Sequence, residues 1–204
     1  MSPSPIHPGK VDWTGENPGI YLKETPDGDW VSLMCFFRIT WSPHGVGHAL
    51  VLLANPASDP KLADRPNVCL TDNEPMARWL VEEFMSNFAS FKDRKAVREM
   101  PYRPLEKVWR SGDCHRSYSE HVVGSGLDVT LTWSELGEPF AVDMPPEKSA
   151  TGRHEMYSLF LESTDAYGIV NGQRLPGRPM PRDFAGRNSS TAFLAFSESW
   201  IRAV

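Results

Sequence analysis

The stretch that most constrains the fold is Trp30–Asn55, WVSLMCFFRITWSPHGVGHALVLLAN. Two long apolar runs, Val31–Trp41 and Val46–Ala54, flank the turn-rich tetrapeptide Ser42-Pro43-His44-Gly45. Runs rich in β-branched and aromatic residues, split by Pro and Gly, predict a β-hairpin. Both runs are apolar at nearly every position, so both faces are expected to be covered, which puts the hairpin at the centre of a sheet. Its loop end gathers Trp41, His44 and His48.

Residues 1–18 hold four prolines and two glycines. They read as an extended N-terminal arm packed only by Trp13. Gly19–Lys23 reads as a strand, turned by Thr25-Pro26-Asp27-Gly28 into the first apolar run. A polar loop, Pro56–Pro66, precedes a short strand at Asn67–Thr71. The best helix runs from Glu74 to about Phe91, with Asp72 or Asn73 as cap and Pro75 in the first turn. Ala77, Leu80, Val81, Phe84, Phe88 and Phe91 recur at helical spacing and form its buried stripe. The basic stretch Lys92–Arg98 extends this helix until Pro101 and Pro104 stop it.

The second half reads as strands. Val108–Arg110 is short. Arg116–Val123 and Leu127–Trp133 flank Gly124-Ser125-Gly126, and Ala166–Val170 and Gln173–Leu175 flank Asn171-Gly172, both hairpin signals. His154–Glu162 and Thr191–Trp200 are further strands, while Glu135–Thr151 and Pro176–Arg187 are Pro-rich connections. The sum is a single β-rich domain over 19–204, mainly β (α+β). An antiparallel β-barrel or sandwich, calycin- or lipocalin-like in outline, with one amphipathic helix packed on the sheet, fits this order of elements. The likeness is to architecture alone, because no motif singles out a family.

Across 204 residues the formal net charge is −5 and the pI about 5.7. That balance argues against a nucleic-acid partner or an anionic membrane surface, both of which need basic excess. The three cysteines, Cys35, Cys69 and Cys114, are widely spaced and form no Cys-x-x-Cys pair, so a structural metal site is not expected. Cysteine usage of this kind predicts a reducing, cytoplasmic location. MSPSPIHPGK lacks an apolar signal core, and no run approaches the roughly 20 apolar residues of a spanning helix. Asn188-Ser189-Ser190 matches a glycosylation sequon by chance.

Several positions carry chemistry-bearing side chains. His44 and His48 share a H-x-x-x-H spacing, but Gly45 and Gly47 argue against the helix a zinc pair would need. A four-histidine site adding His115 and His121 has spacing as its only support, and no metal is assigned. The segment Arg116–Val123 is polar on both faces, as an edge strand or a cavity wall would be. If it lines a cavity, His121 is the natural general base and Tyr118 the proton donor, with Glu120 or Asp128 orienting them. Arg153 and His154 are adjacent and could clamp a carboxylate or enolate oxygen. Trp41 and Trp133 are ligand-facing aromatics in such a cavity.

No nucleophile elbow, dinucleotide fingerprint or P-loop is present, so no organic cofactor is implied. The expected function is a cofactor-independent acid–base enzyme of isomerase, hydratase or lyase type. Its ligand would be a small hydrophobic or aromatic metabolite. The catalytic set would be His121, Tyr118, His44 and His48, with Trp41, Glu120, Arg153, His154 and Trp133 binding substrate. The alternatives are a non-catalytic carrier of the same fold, or a structural subunit pairing through a sheet edge as a homodimer.

Overall fold

The computed structural model describes residues 9–57 and 66–202. The first five strands are β1 (Lys10–Glu16), β2 (Gly19–Lys23), β3 (Trp30–Trp41), β4 (Gly47–Leu53) and β5 (Asn67–Thr71). Helix α1 (Glu74–Glu83), a 3₁₀ turn at Met85–Asn87 and helix α2 (Lys95–Glu99) follow. Next come β6 (Tyr102–Pro104), β7 (Lys107–Gly112), β8 (Ser117–Gly124), β9 (Leu127–Leu136) and β10 (Phe140–Met144). The chain closes with β11 (His154–Val170), β12 (Gln173–Arg174), β13 (Pro181–Phe184), β14 (Arg187–Ser190) and β15 (Ala192–Arg202). One large mixed sheet runs in the order β6-β5-β4-β3-β1-β15-β11-β9-β8-β7, with β10 and β12 on β11 and β2 between β3 and β15; β13 and β14 form a separate hairpin.

The central hairpin is β3–β4, in register from Leu33 opposite Leu53 to Ile39 opposite Gly47. Alternation along these strands sends their two faces into different cores. Leu33, Cys35, Phe37, Ala49, Val51 and Leu53 face a core shared with Leu80, Phe84, Phe91 and Val97 from the helical segment. Met34, Phe36, Leu50 and Leu52 face a second core shared with Tyr118, Val122, Val129, Leu131 and Trp133 of β8 and β9. Strands near opposite ends of the sheet order therefore pack face to face, so the sheet curls back on itself. Residues 102–112 join its ends: Leu105 N donates to Thr71 O of β5, and Glu106 N to Val123 O of β8.

Asn73 caps α1, its side chain accepting from Met76 N at 3.2 Å. The regular helix stops at Glu83, short of the expected Phe91. Ser86 Oγ and Asn87 Nδ2 bond back to the carbonyls of Glu82 and Glu83, which turns the chain into a 3₁₀ segment. Leu80, Phe84 and Phe91 are nonetheless fully buried. Of the basic stretch only Lys95–Glu99 is helical.

The expected N-terminal arm is a sheet strand from Lys10 on. β1 lies between β15 and β3 and buries Trp13 completely; the preceding residues 1–8 lie outside the described part. Trp13 explains the difference, because its ring fills the core between Phe37, Phe84 and Trp200. β10 and β13 lie in stretches expected to be connections, and β11 runs unbroken through two expected strands. The hairpin turns are as read: Ser125-Gly126 and Asn171-Gly172 all take positive φ, the conformation two-residue turns require. Among the described residues no helix is long and apolar enough to cross a membrane.

Candidate functional site

β1 and β2 form one line between β3 and β15, broken at Asn17-Pro18. Pro18 has no N–H, yet the break stays bonded: Asn17 N donates to Ala195 O, and Pro18 O accepts from Phe36 N. On the other side of β15 the register with β11 shifts between Tyr157 and Leu159. Two β15 residues, Ser197 and Glu198, there oppose the single residue Ser158, and Ser197 takes φ of 51°. This bulge resets the alternation. Phe193 and Ala195 face the helix-side core before it, and Glu198 and Trp200 face that side after it.

The break and the bulge together place polar groups at the wall of an otherwise aromatic cavity of about 340 Å³. Phe88 and Trp200 stack at one side, and Phe160 stacks with Phe193 and Phe184 at the other. Met144 and Met156 complete the apolar lining. Tyr21, Asn17, Glu198 and Arg182 supply the inner part of the polar wall, and the exposed Lys148 and Asp183 stand at its rim. The volume lies within the range of small-molecule sites, and a mostly apolar lining with a few convergent polar groups is their usual composition.

Glu198 is 4% exposed. Trp200 Nε1 donates to its Oε1 at 2.6 Å and Asn17 Nδ2 to the same oxygen at 3.3 Å, so Oε2 holds neither bond. Burial raises its pKa to about 7, against the smaller opposing effect of those two hydrogen bonds. The Cys35 thiol donates to Asn17 Oδ1 at 2.9 Å, fixing the amide orientation that serves Glu198. Burial pushes the Cys35 thiol and the Tyr21 phenol up, so both stay protonated.

Arg182 reaches the cavity from the β13–β14 hairpin, where alternation turns Arg182 and Phe184 inward together. Its guanidinium lies 4.9 Å from the Phe184 ring centroid and 4.8 Å from that of Phe193. Its Nε is buried without a hydrogen-bond partner. Desolvation lowers its pKa, but a guanidinium stays charged. No carboxylate among the described residues forms an ion pair with it.

The side chains singled out from the sequence lie elsewhere. β8 is buried on alternate residues, so Tyr118 and Glu120 face the second core and His121 faces out. His121 stacks on Trp109 at 4.8 Å and contacts Ser111 and Thr130, so it shares no pocket with Tyr118. Opposite faces of one strand cannot converge, so the structure does not bring the expected pair together. Tyr118 bonds Glu120, and Arg38 grips Glu120 with two bonds of 2.8 and 2.9 Å while also bonding Glu16. This network borders a hollow of about 360 Å³ with Arg110, Cys114 and Phe196. Its charges satisfy one another.

His44 packs on Trp79, and His48 Nδ1 lies 2.7 Å from Asp72 Oδ2, both at the outer turn where Trp41 is 46% exposed. The expected Arg153–His154 clamp diverges. Arg153 pairs with Glu83 on the surface, whereas His154 is wholly buried between Thr151 Oγ1 and Asp12 Oδ2, each at 2.8 Å. Trp133 is core, its Nε1 donating to Gly19 O at 3.0 Å. None of these side chains lines the aromatic cavity. Among the described residues no three His, Cys, Asp or Glu side chains are placed to hold a metal ion.

No sequence motif marks Glu198 or Arg182. The available signal was a lone carboxylate in the apolar run Ala192–Trp200, and Arg182 two residues before Phe184. No protein-family model, no curated protein and no solved structure matches this chain.

Proposed function

We propose that the protein binds a small apolar or aromatic molecule in the Phe–Trp–Met cavity and acts on it by cofactor-independent acid–base chemistry, as an isomerase, hydratase or lyase. The observation that carries this reading is Glu198, a buried carboxyl poised near pH 7 in the wall of an aromatic cavity. A general acid–base group works best with a pKa near the working pH. In the reaction Glu198 Oε2 takes a proton from a carbon beside a carbonyl and returns it at a second position. Trp200 and Asn17 hold the carboxylate through Oε1 during the step. The sheet is read as a closed barrel of calycin-like outline, which the bonds of residues 102–112 to both β5 and β8 support. The cavity then lies on the barrel's helix-covered outer face. A cytoplasmic location is supported by three free thiols.

The test is deuterium incorporation from heavy water into a panel of apolar and aromatic ketones and enoates, followed by mass spectrometry. Wild-type protein should catalyse exchange in at least one compound. Glu198→Gln should lower the rate by roughly 10²–10⁴-fold while apolar probe binding is retained. Binding without exchange would replace this reading with a non-catalytic carrier.

A further inference from the structure

We infer that the cavity selects ligands carrying a carboxylate, which Arg182 binds; this rests on the cavity being the ligand site. The structure offers three reasons. Arg182 is a permanent cation set among aromatic rings, and such a charge is costly to desolvate without a counter-ion. Its buried Nε lacks any hydrogen-bond partner, although buried donors are almost always satisfied. Of the two carboxylates lining the cavity, Glu198 is bonded to Trp200 and Asn17 and Asp183 accepts from Gly186 N, and neither makes an ion pair with Arg182.

The guanidinium fork suits a planar carboxylate, which it binds through two parallel hydrogen bonds. The surrounding Phe160, Phe184, Phe193 and Trp200 suit an aromatic or other flat apolar body attached to it. The ligand class is thus an arene or apolar chain ending in one carboxylate. Phe184 and Arg182 share one face of a two-stranded hairpin, so the anion-binding group and one aromatic wall move together. The hairpin is tethered at its base, where Thr191 N donates to Met180 O, and Thr191 Oγ1 accepts from Met180 N and donates to Tyr21 O.

The experiment compares acids with their neutral amides, which match in shape and differ in charge. Phenylacetate with phenylacetamide, and naphthoate with naphthamide, are titrated by calorimetry into wild type, Arg182→Met and Arg182→Lys. Wild type should bind the acids at least tenfold more tightly than the amides. Arg182→Met should abolish that preference while leaving amide affinity within about twofold, and Arg182→Lys should keep part of it. Equal binding of acid and amide by wild type, or an acid preference that survives Arg182→Met, overturns the role of Arg182 alone. If no acid and no amide binds, the cavity reading fails and this inference falls with it.

Discussion

Trp200 Nε1 donates to Glu198 Oε1 at 2.6 Å across one face of β15, two residues apart. The indole N–H stabilises the ionised carboxylate and so opposes the upward push of burial. Trp200→Phe keeps the ring and removes the donor. The Glu198 pKa should then rise above about 7, read by carbon-detected NMR titration of the side-chain carboxyl. A fall, or no change, would show that the bond does not govern the carboxyl.

Glu198 also makes stability depend on pH. Its pKa is raised from the ordinary 4.5 to about 7, chiefly by burial. The stability tied to its proton is fully present below pH 4.5 and is lost as pH rises through about 7, because the folded state holds the proton longer. The loss should be about 3 kcal/mol. Urea denaturation of wild type and Glu198→Gln at several pH values should show their difference changing across this interval. A constant difference would contradict it.

His154 gives a slope of the opposite sign. Burial lowers its pKa despite the hydrogen bond to Asp12. Burial alone would raise the Asp12 carboxyl, but bonds from His154 and Arg202 outweigh it and hold it low. His154 is therefore neutral in the fold, with Nε2–H donating to Asp12 and Nδ1 accepting from Thr151 Oγ1. Its contribution is present above the unfolded histidine pKa of about 6.5 and is lost as pH falls below it. His154→Gln should remove that acid-side loss, and Asp12→Ala should cost about 1–3 kcal/mol by orphaning the ring N–H. Identical pH profiles for wild type and His154→Gln would rule this out.

Phe84 ends α1 and is fully buried, in edge contact with Trp13, Trp79 and Trp200 and tilted on the His154 ring. Phe84→Ala should destabilise by about 3–5 kcal/mol through lost transfer energy and the cavity left behind. An unchanged denaturation midpoint would show that the helical segment does not hold this core together.

The sequence by itself determined the local elements whose cause is local. Asn73 caps α1 because its side chain can reach Met76 N, and Asn171-Gly172 turns a hairpin because both residues tolerate positive φ. The two apolar runs of β3 and β4 announced a doubly covered hairpin, since only burial on both faces accommodates such a pattern. The tertiary structure alone decided the site. Alternation put Tyr118 and His121 on opposite faces of β8, but which face met a core depended on strands far away in sequence. A single extra residue at Ser197 set which way Glu198 points, and such a bulge follows from pairing with Ser158 and not from composition. Arg182 stands in a stretch that reads as a loop. It became a cavity residue only because the hairpin carrying it folds over Phe160 and Phe193, contacts that no local pattern encodes.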